Sequence, residues 1–237
     1  IPLKYYGAHT GRWSGSDKVN FQNLPSRDVK KKALKNAILP PVDHVILNVD
    51  SSQIEARILV WLAGQHDQVE LYRQGKDVYC DFASRVYKKT INKRNKKERA
   101  VGKTCILGLG YGTGHVKLKG VLKLNAGIEV NEIESKRLVK LYREVNHEVV
   151  KLWEECDRAL RDIASWPADR LPYYLGSGKC LLVEPKGIKL PNGLYITYPD
   201  LQLGSDGYEY KSRRGTISIW GGAVVENVVQ ALARIVI

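Results

Sequence analysis

Between Val45 and Ala63 the hydrophobic pattern changes period, and that change limits what the chain can build. Val45-Ile-Leu-Asn-Val49 is a short apolar run, which reads as a buried strand. From Ile54 the spacing becomes helical, with Ile54, Ile58, Leu59, Leu62 and Ala63 on one face. Asp50 stands at the junction, followed by Ser51 and Ser52, both good helix starters. A carboxylate at the end of a buried strand is held rigidly and can bind a hard cation such as Mg2+. Glu55 follows one helical turn later, close to Asp50 but aimed separately. Taken alone, Asp-Ser-Ser reads more simply as an Asp near a helix start with a solvated Glu.

A second stretch, Arg99-Ala-Val-Gly-Lys-Thr-Cys-Ile-Leu-Gly-Leu-Gly-Tyr-Gly112, spaces Arg99, Lys103, Leu107 and Tyr111 four apart. On a helix these form one slowly drifting stripe. Two cations followed by an apolar and an aromatic residue present a triphosphate end and a base-stacking end. Gly102, Gly108, Gly110 and Gly112 each lower helix propensity by roughly 1 kcal/mol relative to Ala, so intrinsic preference does not establish the helix. A dinucleotide-binding glycine loop is the weaker alternative, because G-x-G-x-x-G spacing and a preceding strand are both missing. No Gly-Lys-Ser/Thr follows the glycines at 108–112, and Gly102-Lys103-Thr104 has Lys97 where the first glycine of G-x-x-x-x-G-K-[ST] belongs, which excludes a P-loop.

These motifs resemble family A DNA polymerases, the relatives of bacterial DNA polymerase I. Their first catalytic motif, Asp-x-Ser-Gln-Ile-Glu-x-Arg, is matched at Asp50, Ser52, Gln53, Ile54, Glu55 and Arg57. Their nucleotide-binding helix, Arg-x3-Lys-x7-Tyr-Gly, is matched at Arg99, Lys103, Tyr111 and Gly112. The resemblance implies that Asp50 is a shared ligand of two Mg2+ ions, with the Ser51 carbonyl as a further oxygen. It implies that Arg99 and Lys103 hold the triphosphate and serve catalysis, and that Gln53 and Tyr111 belong to the nucleotide site. Glu55 would lie under the sugar and exclude a 2′-hydroxyl. Leu107 stands where many members carry Phe or Tyr, and Tyr79 where relatives often carry His, two residues after the position of Asp77. Thr10-Gly-Arg12 and Gln22-Asn23-Leu-Pro25 resemble segments beside the primer-template duplex, so Arg12, Gln22 and Asn23 are expected to contact DNA. Glu226-Asn227-x-x-Gln230-Ala231 resembles a phage-like branch, in which the Asn and Gln approach the minor groove. Donors of this kind can check base-pair geometry without reading sequence.

The rest of the chain is read from periodicity and composition. Residues 67–97 mix helical spacing (Val69, Leu71, Tyr72, Val78, Phe82, Val86) with a basic run, Lys88 to Lys97, that reads as a solvated charged loop. Arg27 and Lys30-Lys31-Lys32 read as a phosphate-facing or solvated surface. From Ile128 to Trp166, Ile133, Leu138, Leu141, Val145, Val149, Leu152, Trp153, Cys156, Leu160 and Ile163 predict long amphipathic helix broken near Asn146, its apolar face serving core packing. After Pro167 and Pro172, short runs at 181–183, 187–190, 194–198, 208–210 and 216–219 predict antiparallel hairpins, turning at Pro191-Asn-Gly193 and Ser205-Asp-Gly207. An amphipathic helix covers 221–234. The expected fold is α/β: a mixed palm with antiparallel hairpins (1–66 and 176–237) and a mostly helical fingers insertion (67–175).

The net charge of +13 points to a polyanionic partner. No apolar run approaches membrane-spanning length, so no membrane partner is expected. Cys80, Cys105, Cys156 and Cys180 are scattered, which suits a reduced compartment and argues against structural zinc. The resemblance implies template-directed DNA synthesis from deoxynucleoside triphosphates on primer-template DNA, in a bacterial or phage-infected cytoplasm, by a monomer or with replication accessory proteins. A noncatalytic DNA-binding paralogue and a single-subunit RNA polymerase relative are the alternatives; the bulk of Glu55 argues against the latter. The family's second metal-binding aspartate sits in a His-Asp-Glu turn, and no such tripeptide occurs here. The 237 residues are therefore read as part of a longer product and are not expected to extend primers alone.

Overall fold

The computed structural model describes residues 2–16, 20, 24, 32–47, 49–213 and 215–237. Gln22, Asn23, Arg27, Lys30 and Lys31 lie outside the described residues. The architecture is a mixture of helices and antiparallel sheets, as expected. A short pair, β1 (Leu3–Lys4) and β2 (Ser14–Gly15), closes a turn-rich start, and α1 (Lys32–Asn36) follows. Seven helices come next: α2 (Ile54–Ala63), α3 (His66–Arg73), α4 (Val78–Tyr87), α5 (Lys96–Leu109), α6 (His115–Ala126), α7 (Glu132–Val145) and α8 (His147–Ala164). The chain then builds two antiparallel sheets. One runs in order through β3 (Tyr173–Leu175), β4 (Leu181–Glu184), β5 (Gly187–Lys189) and β6 (Tyr195–Ile196), and the other through β7 (Gln202–Gly204), β8 (Gly207–Ser212) and β9 (Gly215–Ile219). Helix α9 (Gly221–Val236) follows.

Two hydrophobic clusters organise these elements. The first joins both sheets to α8 and α9, through Leu152, Cys156, Leu160, Leu181, Ile188, Val225 and Val229 among others. The second is helical and joins α4 to α7, through Phe82, Val101, Leu109, Leu122, Leu138 and Tyr142. Helix α2 serves both, because Ile58, Leu59 and Leu62 enter the first cluster while Ala56 and Val60 enter the second. A helix apolar on more than one face is stable only when buried between layers. The expected 67–175 segment thus encloses α8, which shares its core with the flanking sheets.

The helix break near Asn146 occurs where the spacing places it. Asn146 is buried, and its side-chain amide donates to the Tyr142 carbonyl at 3.1 Å, so the kink keeps its polar atoms satisfied. The apolar stripe of α7 differs from the expected one. Ile133 is 80% exposed, and the buried face runs through Ser135, Leu138, Val139 and Tyr142. Ser135 can be buried because its hydroxyl donates to the His115 carbonyl at 2.7 Å.

Two expectations around Asp50 are corrected. The run at 45–49 forms no strand: its described residues pair with no other strand, and Val45, Leu47 and Val49 are exposed. An apolar run becomes a strand only where a neighbouring strand accepts its backbone hydrogen bonds, and among the described residues none does. Neither Ser51 nor Ser52 caps α2. The cap is Gln53, in the left-handed region at φ 58° with no capping side-chain bond. The entry is held from further in, by Arg57 Nε donating to the Ser52 carbonyl at 3.0 Å. At the other end Gly64, at φ 74°, supplies the left-handed stop, and its N–H returns to the Trp61 carbonyl at 3.1 Å.

Candidate active site

A cleft of about 1010 Å3 opens where the junction before α2 faces α5 and the last turns of α9. Asp50, Ser51, Gln53 and Glu55 line one wall, and Tyr79, Arg99, Lys103 and Leu107 line another. Arg12 and Gln230 reach it from the start of the chain and from α9. Residues from five separate segments are thus brought to one cavity. Its walls carry the carboxylates of Asp50 and Glu55 opposite a row of cations.

Helix α5 aims that row. Arg99, Lys103 and Leu107 share one face, and Leu107 remains 38% exposed to the cleft. Two of the glycines that weaken α5 intrinsically are closely packed, whereas Gly108 has nothing within 4 Å of its Cβ position. A Cβ on Gly102 would sit 2.1 Å from the Tyr79 carbonyl oxygen, and one on Gly110 would sit 2.7 Å from Leu59 Cδ2. At Gly102 only glycine lets α5 lie this close to the backbone of α4, and that closeness brings Arg99 over the N-terminal end of α4. Helix α5 stops at Leu109, so Tyr111 lies beyond it. Tyr111 packs against the first cluster and does not line the cleft, and burial raises its hydroxyl pKa. The four-residue spacing carries only as far as Leu107, because α5 ends at Leu109 and Gly112, at φ 78°, turns the chain to pass close to α9. A Cβ on Gly222 would meet the Tyr111 carbonyl at 2.5 Å.

Asp77 holds the cationic wall in place. One oxygen, Oδ1, caps α4 by accepting from the Tyr79 and Cys80 amides at 3.1 and 3.2 Å. The other, Oδ2, accepts from Arg99 Nε at 2.8 Å. Burial is the largest single influence and opposes ionisation. The bonds from Arg99 and the two amides, with the Arg99 charge, still hold the Asp77 carboxyl below its usual range. Tyr79 is buried beneath, with the Arg99 guanidinium 5.3 Å and the Lys103 ammonium 6.0 Å from its ring centre. Where a His would add charge, this phenol supplies an aromatic floor to both cations. Residue typing missed Asp77 as a site residue, although an Asp directly before the helical run from Val78 is a cap signal.

On the carboxylate wall, Glu55 is engaged by Arg12, whose Nη1 donates to Oε1 at 3.0 Å. Thr10 is buried, and its hydroxyl donates to Gln230 Oε1 at 3.3 Å. His9 packs against the Tyr198 and Tyr210 rings, at 5.5 and 5.7 Å, and burial lowers its pKa. These contacts fasten the first residues onto α9 and the sheets, and so place Arg12 in the cleft. Asn227 turns the other way: its amide donates to the Tyr198 hydroxyl at 3.2 Å, toward the first cluster. Asp50 and the Ser51 carbonyl offer hard oxygen donors, which fit Mg2+ in kind. Among the described residues, no three His, Cys, Asp or Glu side chains gather as a metal site. All four cysteines are free, and burial pushes the Cys105 thiol up to about 12.

A family model described as DNA polymerase family A matches residues 3–163, well over half of the chain. The chain belongs to that family. The DNA polymerase of Bacillus phage SP02 is 29% identical over 277 aligned positions, covering 98% of this chain and 42% of the relative. DNA polymerase I of Chloroflexus aurantiacus is 33% identical over 106 positions, covering 45% of this chain and 11% of the relative. The chain thus spans less than half the length of these curated relatives. Among solved structures, the POL domain of Pol1 from M. smegmatis, in complex with DNA primer-template and dNTP, is similar with a TM-score of 0.56. That likeness, at 20% identity, covers 98% of this chain and 33% of the other, and it shows a shared fold. Membership agrees with the motifs at Asp50–Arg57 and Arg99–Gly112, both inside the matched range. Among the described residues no helix is long and apolar enough to cross a membrane.

Proposed function

We propose that this family A chain carries the nucleotide-binding and part of the catalytic machinery of a DNA polymerase, extending a primer 3′-hydroxyl with deoxynucleotides. The observation that carries this reading is the cleft itself, with Asp50 on one wall and Arg99, Lys103 and Leu107 on the facing helix. In this reading residues 1–66 and 176–237 form the palm and 67–175 the fingers. Arg99 and Lys103 grip the triphosphate and offset charge that builds on the phosphates during transfer. Leu107 meets the nucleotide, Glu55 lies under the sugar, and Gln53 and Tyr79 shape the same pocket. Asp50 and the Ser51 carbonyl would hold Mg2+, which when bound lowers the barrier to attack by the primer hydroxyl and to pyrophosphate departure in a two-metal arrangement. Tyr111 would act from beneath, bracing the turn after α5. Arg12 and Gln230, which line the cleft, would meet the duplex. Asn227 would have to leave Tyr198 to join them.

Primer extension by a longer protein carrying these residues, with and without Mg2+, tests the reading. Asp50→Ala should abolish incorporation while duplex affinity stays within about twofold. Loss of DNA binding in that variant would instead make Asp50 a structural residue.

A further inference from the structure

The loop between α4 and α5 and the first turn of α5 carry Lys88, Lys89, Lys93, Arg94, Lys96 and Lys97, and up to Glu98 no acid interrupts them. A solvated loop of this kind usually moves freely, but here it is built. Ile91 is 5% exposed and packs with Cys80 and Ala83. Its N–H donates to the Ser84 hydroxyl at 2.9 Å, and that hydroxyl donates to the Cys80 carbonyl at 2.8 Å. Asn92 and Asn95 close a turn on each other, with the Asn92 N–H donating to Asn95 Oδ1 at 3.0 Å. The Arg94 N–H donates to Asn92 Oδ1 at 2.9 Å. The cations therefore stand on a fixed platform.

Their placement opposes the fold's own electrostatics. Lys96 and Lys97 occupy the first turn of α5, where the helix dipole favours acids, and Glu98 is the only acid there. Glu98 is paired with Lys89 at 3.5 Å. Among the described residues no ion pair engages Lys88, Lys93, Arg94, Lys96 or Lys97. Lys96 also lies three residues before Arg99 and seven before Lys103, which puts it on the same helical face. The row of cations on the cleft wall thus runs out along α5 onto the loop. A triphosphate is served by Arg99 and Lys103, so the surplus outside the cleft suits a longer polyanion.

We propose that the α4–α5 loop, together with the first turn of α5, is a binding surface for the phosphodiester backbone of single-stranded nucleic acid, continuous with the cleft. The polymerase reading explains why a strand should arrive there, but binding itself does not depend on catalysis.

The test measures fluorescence anisotropy of a labelled oligothymidylate with the 237-residue chain across a salt series, without nucleotide or metal. The variant is Lys93→Gln/Arg94→Gln/Lys96→Gln/Lys97→Gln. The control removes the same charge elsewhere, as Lys117→Gln/Lys119→Gln/Lys123→Gln/Lys140→Gln on α6 and α7. For single strands each lost phosphate contact removes about 0.7 from the slope of log K against log salt, so the loop variant should be shallower by about 2 to 3. Its affinity at low salt should fall at least tenfold, and the control should change much less. Thermal stability of the loop variant should stay level or rise, since repulsion at the start of α5 is relieved. Equal losses in variant and control would reduce the effect to net charge and overturn the proposal. A fall in stability would make the cations structural and overturn it too. If a polyglutamate peptide binds the loop and the oligothymidylate does not, the partner is an acidic protein segment and the nucleic-acid assignment fails. Failure of primer extension with oligonucleotide binding intact would sink the polymerase reading and leave this surface standing.

Discussion

Removing the carboxylate of Asp77 should disturb the fold and the cationic wall together, in proportions that two variants can separate. Its two oxygens have separate tasks, one capping α4 and the other accepting from Arg99 at 2.8 Å. Losing a cap costs about 1 kcal/mol. Losing a hydrogen bond between charged groups costs about 1.5–3 kcal/mol when buried. Here the side chains of Arg99 and Asp77 are 30% and 13% exposed, so the lower end of that range applies. Asp77→Ala should therefore destabilise by about 2–3 kcal/mol. Asp77→Asn, which still caps, should cost about 1–1.5 kcal/mol. Urea unfolding followed by circular dichroism gives both numbers, and a cycle with Arg99→Gln isolates the pair. The pH dependence has a definite sign. The folded-state pKa of Asp77 is depressed, so its stabilisation is complete above its ordinary carboxylate pKa and is lost as pH falls through the lower folded value. Acid should thus erode wild type more than Asp77→Asn. Equal costs for the Ala and Asn variants would refute the capping role. A coupling energy near zero with Arg99→Gln would refute the ion pair as the link between α4 and α5.

The remaining expectations concern packing and the pocket. Gly102→Ala should cost about 1–3 kcal/mol by thermal or urea unfolding, because its Cβ meets the Tyr79 carbonyl at 2.1 Å and α5 must shift. In an active form of the protein, Glu55→Ala should lower the preference for deoxy- over ribonucleotides, and Arg12→Ala, which frees Glu55 from its 3.0 Å partner, should do so more weakly. An unchanged ratio in single-nucleotide incorporation would remove Glu55 from under the sugar. Leu107→Tyr should reduce discrimination against dideoxynucleotides, since a phenol can hydrogen-bond where the 3′-hydroxyl is missing. An unaltered ratio in a well-folded variant would mean that Leu107 only packs beside the cleft.

Much of this molecule was legible as spacing. The period of 181–219 and its Asn-Gly and Asp-Gly turns mark hairpins, and β4, β5, β6, β8 and β9 fall within a residue or two of those runs, whereas β7 (Gln202–Gly204) and β3 (Tyr173–Leu175) had no run to mark them. Arg99, Lys103 and Leu107 share a face because the α-helix makes positions four apart neighbours, whatever packs around them. The motif residues at 50–57 and 99–112 point to the family without coordinates, because each chemical type recurs at a fixed separation. Spacing cannot say which elements face one another. Only the tertiary structure sets Arg12 on Glu55, Asp77 on Arg99 and Tyr111 beneath the cleft, since each depends on packing between segments distant in the chain. The run at 45–49 shows the limit most plainly. Its residues have strand character, but β structure is completed by a neighbour's backbone, and no local sequence supplies that neighbour. Glycine has the opposite history at Gly102. A weakness by propensity becomes a requirement once α5 is pressed against the backbone of α4, because only a missing Cβ permits an approach that close.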